Sequence, residues 1–267
     1  MKNLGIIAGS GDFPILVAEG ARKCGIEQIV VAALIGETKK EIEFVADVVV
    51  WIEIGQLNEV IHCFKTNGCE SVVMAGQITP TKLFSKLKLD LRMAQVLARV
   101  KFRGAAPLFG SIAEELEKDG LKIMDSSTFV KPHMAIEGCM TKIKPTEEQM
   151  IDIKKGRMLA RAIADLDIGQ TIVMKEGAVV AVEAIEGTNQ TIMRAGQLAG
   201  PGAIVIKVMK SGHDFRFDIP VIGKETLKVM KDAGAKILVL DKDGAIMINM
   251  EQVLKISDDY GISIVGM

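Results

Sequence analysis

The sequence predicts two α/β domains, the first on a Rossmann-like parallel sheet and the second of α/β or α+β type. Three observations carry this reading. Strand-sized apolar runs alternate with amphipathic helical stretches through the first half, a weakly periodic stretch with Gly and Pro interrupts them near the middle, and shorter strands and helices follow. At 267 residues, 49% of them apolar, the chain exceeds one ordinary core and can fill two.

Leu4–Ala8 reads as a buried strand and Pro14–Lys23 as the helix after it. Gln28–Leu34 and Val45–Ile52 are the next strands. Gln56–Asn67 is a helix, because Leu57, Val60, Ile61 and Phe64 fall on one face. Ser71–Ala75 is a further buried strand ending at Gly76. Lys82–Lys101 is a basic-apolar helical stretch, followed by a helix over Leu108–Asp119 and a strand over Lys122–Met124. Such alternation implies a parallel, doubly wound sheet. Periodicity weakens between Pro132 and Pro145, around Gly138, which places the linker there and the domains at 1–132 and 133–267. Beyond it come a helix over Thr146–Asp165 and strands Gln170–Met174 and Ala178–Ala184, joined by the turn Lys175-Glu176-Gly177. A strand lies within Pro201–Met209, and a helix over Gly223–Asp232 is closed by Gly234. Strand Lys236–Leu240, the turn Asp241–Gly244, helix Met250–Asp259 and strand Ile262–Val265 complete the pattern. Strand order in this half does not follow from the pattern.

Composition removes several classes of function. With 33 basic against 34 acidic residues, net charge −1, nothing suggests a nucleic-acid-binding surface. The four cysteines (Cys24, Cys63, Cys69, Cys139) lie far apart with no C-x-x-C pair, as expected of reduced thiols in a cytosolic protein. The apolar start at Leu4 is broken by Gly9, Gly11, Asp12 and Pro14, unlike a signal peptide. The longest apolar run, Ile29–Ile35, is strand-sized, so no spanning segment is expected. The 15 methionines suit a Met-rich core, or apolar surface facing a greasy ligand.

The loop Ala8-Gly9-Ser10-Gly11-Asp12-Phe13-Pro14 joins the first strand to the first helix. Gly9, Ser10 and Gly11 would let backbone amides approach a phosphate, with the helix N-terminus adding a favourable dipole. The match to G-x-G-x-x-G is incomplete, since Leu16 holds the third glycine position and no acidic residue closes the second strand. NAD is therefore disfavoured, and a purely structural tight turn is the competing reading. Gly76-Gln77 leaves another strand at the same sheet end and could line the same crevice or be an ordinary exit turn. In the second half, Glu183 and Glu186 leave a β-rich segment just before Gly187-Thr188. Lys210-Ser211-Gly212-His213-Asp214-Phe215-Arg216-Phe217-Asp218 follows a strand. In an extended chain Asp214, Arg216 and Asp218 would share one face, a row suited to holding a divalent cation or a water beside a phosphate. An exposed ion-paired strand gives the same spacing.

Taken together, in this order, these segments resemble the LpxI-type UDP-2,3-diacylglucosamine pyrophosphatase family. Leu4–Pro14 resembles its opening glycine loop and Ala75-Gly76-Gln77 its A-G-Q or A-G-N segment. Leu166–Gln170 with Val179–Thr188 is similar to its most recognisable stretch, and Arg216–Gly223 resembles R-x-D-L-P-x-I-G. The chain departs from many relatives at Gly104-Ala105-Ala106, where they carry G-D-D, at Asn189, where they carry Asp, and at Ser211 and His213, where they carry Pro and Gln.

The resemblance implies a Rossmann-like nucleotide-side domain and a catalytic, lipid-side domain. It implies Mg²⁺- or Mn²⁺-assisted hydrolysis of a nucleotide-lipid pyrophosphate. Asp218 would be the catalytic carboxylate and metal ligand, with Arg216 and Asp214 beside it in the catalytic row. Arg216 and Lys210 would meet phosphate charge, Asp214 and Glu183 being further metal or base candidates. The substrate-binding set is Gly9, Ser10, Gly11, Gly76, Gln77, Glu183, Gly187, Thr188 and Lys210. A small-molecule nucleotide-lipid partner, a cytoplasmic location with transient contact at the inner-membrane surface, and room for homo-oligomers complete the expectation. The glycine loop and Asp218 are expected at one interdomain cleft. A nucleotide-sugar or lipid carrier without catalysis and an NAD(P)-dependent oxidoreductase are the alternatives.

Overall fold

The computed structural model describes residues 1–78, 88–100, 105–217 and 219–267, without the side chains of 105 and 106. The chain divides into two units: Met1–Val130 with Asp214–Asp218, and Lys131–His213 with Ile219–Met267.

The first unit is a five-stranded parallel sheet of β1 (Asn3–Ala8), β2 (Gln28–Leu34), β3 (Val48–Ile52), β4 (Ser71–Ala75) and β5 (Lys122–Ile123), in the order β3-β2-β1-β4-β5. Strands covered on both faces read as unbroken apolar runs, and Ile29–Leu34 is buried throughout. Helix α1 (Phe13–Lys23) lies against β1, β2 and β4. Helix α2 (Leu57–Thr66) buries Leu57, Val60, Ile61 and Phe64, the face its spacing predicts. These join a core with Val30, Ala32 and Val72 from the sheet, Met93 and Val96 from α3 (Leu91–Arg99), and Leu108 and Leu116 from α4 (Ala105–Lys118). Asp90 caps α3 by accepting from Met93 N at 2.7 Å, and its other oxygen accepts from Asn58 N at 2.6 Å, so one carboxylate ties α3 to the first turn of α2.

The third strand starts at Val48 rather than Val45. A short 3₁₀ turn, Lys40–Phe44, precedes it, and Asp47 turns its carboxylate to Ile29 N at 2.7 Å and to Arg22. Part of the expected Lys82–Lys101 helix lies outside the described residues; its described portion yields α3 alone.

The second unit holds a six-stranded mixed sheet, β6-β13-β11-β9-β7-β8. Its members are β6 (Gly138–Cys139), β7 (Thr171–Lys175), β8 (Ala178–Val182), β9 (Ile204–Lys207), β11 (Ile237–Leu240) and β13 (Ser263–Gly266). The three central strands β13, β11 and β9 are parallel, and β6, β7 and β8 add antiparallel neighbours. β10 (Val221–Ile222) and β12 (Ile246–Met247) form a small parallel pair. Helices α5 (Glu147–Asp165), α6 (Thr188–Ala199), α7 (Lys224–Asp232) and α8 (Met250–Tyr260) complete the unit. Thr146 opens α5 with a reciprocal capping box to Gln149.

The segment 132–145, expected as linker, is partly built into this unit. Gly138–Cys139 pairs with the edge of β13, and Ala135 N donates to Ala245 O at 2.9 Å. Helix α6 has no counterpart in the sequence reading. Its buried face is Thr191, Ile192 and Ala195, with one large apolar side chain.

Candidate active site

In the first unit the strand order reverses between β1 and β4, and open parallel sheets bind ligands outside the carboxyl ends of their strands at such a point. The two loops leaving these strands are joined to each other. Gly9 N donates to Ala75 O at 2.8 Å, Ser10 N to Gln77 O at 2.7 Å, Gln77 N to Ser10 O at 3.3 Å, and Ser10 Oγ to Gln77 O at 2.9 Å. The approach requires glycine on both sides. A Cβ on Gly9 would lie 2.4 Å from Gln77 O, and one on Gly76, which sits at φ +89°, would lie 2.5 Å from Ser10 O.

Gly9, Ser10, Gly76 and Gln77 therefore come together, and the amides of Gly9 and Ser10 are already engaged. Further along, Gly11 and the N-cap Asp12 lead into the first turn of α1 at Phe13, and Asp12 makes no side-chain cap. Asp12 instead pairs with Lys39 at 2.5 Å. Thr38 Oγ1 donates to Ala8 O at 2.5 Å and accepts from Leu34 N at 2.8 Å, tying the ends of β1 and β2.

The charged row from the second half also belongs to this unit. Ser126, just beyond β5, donates its amide to Phe215 O at 3.0 Å. Its hydroxyl lies 2.7 Å from Met74 O and 3.2 Å from Arg216 O. The row is thereby held at the carboxyl end of β4, the end that carries Gly76-Gln77. It is not extended over 214–217: Phe217 N returns to Asp214 O at 3.3 Å, closing a turn. The turn forms because Arg216 folds back on Asp214, with Nε 3.0 Å from Oδ1 and Nη2 2.8 Å from Oδ2, while its amide donates to Oδ1 at 3.0 Å. Arg216 Nη1 reaches Glu117 at 3.4 Å, and the guanidinium stacks 4.7 Å over Phe217, which packs on the core of the unit. Its hydrogen bonds to Asp214 hold the Arg216 pKa above the usual value. Asp218 lies outside the described residues, as does Gly104 and the side chains of Ala105 and Ala106.

In the second unit, Gly187 precedes α6, and Thr188 in its first turn donates to Glu183 Oε1 at 2.9 Å. Lys207, the last residue of β9, donates to Thr188 Oγ1 at 2.8 Å and to Thr171 Oγ1 at 3.3 Å. Glu186 pairs with Arg194 at 2.6 Å. The hydrogen bonds from its own amide and from Arg194 keep its carboxyl below the usual range. Lys210 pairs with Asp167 at 2.9 Å, and Ser211 binds Asp165 through amide and hydroxyl at 2.6 and 3.0 Å. Glu183 and Thr188, singled out in the sequence, are joined here by Lys207, a charge at the end of a buried strand that carries no local signal; the contacts of Ser126 are likewise long-range.

Among the described residues no three His, Cys, Asp or Glu side chains gather as metal ligands. Those residues do not form a metal cage. The four cysteines are free thiols, and burial pushes Cys63 and Cys69 up to about 11, which unsuits both as nucleophiles.

Fold and site together define an α/β protein whose polar turn and two glycine-bearing loops meet at one end of a parallel sheet. The LpxI N-terminal domain matches residues 3–133 and the LpxI C-terminal domain residues 136–265. The chain belongs to the LpxI family. It is 30% identical over 281 residues to the UDP-2,3-diacylglucosamine pyrophosphatase LpxI of Caulobacter vibrioides, covering 100% of this chain and 98% of that protein. Among solved structures, phosphoribosylglycinamide synthetase from Anaerococcus prevotii is 14% identical, over 72% of this chain and 42% of that one, at a TM-score of 0.26. The biotin carboxylase subunit of pyruvate carboxylase is 13% identical, over 74% of this chain and 42% of that one, at 0.29. Each match spans less than half of the other protein.

Proposed function

We propose that the chain hydrolyses the pyrophosphate bond of UDP-2,3-diacylglucosamine to UMP and 2,3-diacylglucosamine 1-phosphate, a step of lipid A biosynthesis. The observation that carries this reading is the full-length similarity to the Caulobacter vibrioides pyrophosphatase.

A pyrophosphate resists attack because its oxygens are negative, so catalysis requires charge neutralisation and a placed water. Water forms the new P–O bond, the bridging P–O bond breaks, and the departing phosphate takes the electron pair. We assign the water's proton to Asp218, the residue after Phe217 in the chain. Arg216 would meet phosphate charge through the Nη1 face that Glu117 holds only at 3.4 Å. Asp214 keeps the guanidinium oriented. The amides of Gly11, Asp12 and Phe13 would receive a phosphate of the nucleotide, with the joined Gly9–Ser10 and Gly76–Gln77 loops leading into that turn.

Magnesium, when bound, would withdraw charge from the phosphoryl oxygens. It commonly takes one or two carboxylates with the rest from phosphate and water, and Asp218 is the carboxylate we assign to it. Among the described residues no helix is long and apolar enough to cross a membrane. We place the protein in the cytoplasm, meeting its diacyl substrate at the inner-membrane face.

The test is release of UMP from UDP-2,3-diacylglucosamine by the purified chain, followed chromatographically. Turnover that EDTA suppresses and Mg²⁺ or Mn²⁺ restores is the expected outcome. Tight binding without UMP would mark a carrier instead, and full activity in metal-free buffer would leave the cationic side chains as the sole source of charge.

A further inference from the structure

The second unit buries a carboxylate and an ammonium that do not satisfy each other. Glu183 and Lys207 are each 9% exposed. The Thr188 hydroxyl stands between them, accepting from Lys207 Nζ at 2.8 Å and donating to Glu183 Oε1 at 2.9 Å. Glu183 Oε2 is buried without a hydrogen-bond partner and lies 3.9 Å from Lys207 Nζ, close enough for attraction but beyond a hydrogen bond. Folded proteins leave few such atoms, and an ionised one is the most unfavourable kind. The place is fixed by the fold: Glu183 N donates to Thr171 O at 2.8 Å beside the last residue of β9, and Thr188 opens α6.

The surroundings of Oε2 select what can complete it. A cation would meet Lys207, and an anion would meet Glu183 and bring no donor. A neutral O–H or N–H satisfies the oxygen and is repelled by neither charge. We propose that Glu183 Oε2 is a specificity-determining acceptor for a hydroxyl or amide N–H of the acylated glucosamine, with Lys207 and Thr188 as positioning residues that hold the carboxylate. This rests on the hydrolase reading and adds to it the sugar contact that discriminates substrate.

Glu183→Gln keeps shape and leaves an amide oxygen facing Thr188, but it puts an NH₂ where Oε2 stood, so an acceptor becomes a donor. With UDP-2,3-diacylglucosamine, KM should rise roughly tenfold or more while kcat stays within about threefold. A purely structural role would instead lower the melting temperature and the active fraction at unchanged KM, and that result overturns the proposal. Substrate analogues supply the second arm. One replaces the 2-amide by an ester, and others replace each free sugar hydroxyl by hydrogen. One of them should lose about tenfold in kcat/KM on the wild type and little on Glu183→Gln, which identifies the donor. Losses that add in full for every analogue also overturn the proposal. Should Glu183→Gln fail to fold, Thr188→Val removes the hydroxyl that fixes Oε1, and the same analogue must lose its advantage there. Wild-type turnover is the control: its absence removes the hydrolase reading and this one together, whereas turnover with an unaltered Glu183→Gln removes this one alone.

Discussion

Ser126 places one hydroxyl within reach of two carbonyl oxygens, Met74 O on the sheet and Arg216 O on the 214–217 turn. Ser126→Ala should weaken stability by about 1 kcal/mol, the ordinary worth of such a bond. It should lower kcat/KM roughly tenfold, because small misplacements at a reacting centre are expensive in rate. An unchanged kcat/KM would show that the turn keeps its place without the serine. Asp218→Ala should reduce UMP release by about 10²-fold or more, the range for a positioned acid or base, with the far-ultraviolet circular dichroism retained. A variant above about a tenth of wild-type rate would remove Asp218 from the chemistry. At this scale the sequence displayed the charged residues but not their partners. Asp214 and Arg216 two apart fit an extended row or a turn equally, and the bidentate contact decides for the turn. Lys207 and Ser126 carry no local signal.

Helices α3 and α4 are joined by Glu115, whose carboxylate is only 8% exposed and receives Arg99 and Lys118, the latter at 2.6 Å. Those hydrogen bonds, Lys118 first and Arg99 second, hold its pKa below the ordinary 4.5. A depressed carboxylate binds fewer protons folded than unfolded. Its contribution is therefore complete above the ordinary value and is lost as pH falls through the lower folded value. The melting temperature of the wild type should accordingly fall more steeply than that of Glu115→Gln between about pH 5 and about pH 3, the curves converging in acid. Parallel curves would mean that the pair adds nothing. Elements with a clear apolar period, such as α2, were legible to within a residue or two, as was the strand–helix alternation of the first unit. Helix α6 was not: Ile192 is the one large apolar residue on its buried face, beside Thr191 and Ala195.

The two units are not two lengths of chain. The first contains Asp214–Asp218, taken from the midst of the second, and Phe217 packs against the first unit's core. Nothing local in the sequence marks this, since it depends on contacts across some ninety residues (Ser126 to Arg216 is one). Fragment 1–130 made alone should lack a lining to that core, bind a hydrophobic dye and melt below the intact protein. Adding fragment 131–267 should restore part of the lost stability. A fragment 1–130 as stable as the full chain would mean that the turn contributes nothing to the unit.

The same interleaving sets a schedule for biosynthesis. Domains ordinarily fold as they leave the ribosome, N-terminal first, at synthesis rates of roughly 5–20 residues per second. Here the first unit must wait on the order of ten seconds after Val130 is added before its missing piece is translated. During that interval the apolar surface that Phe217 covers stays open to chaperones, and the 214–217 turn can dock only when most of the protein already exists. A chain truncated anywhere before this turn carries the glycine loops but not the segment that completes the first unit.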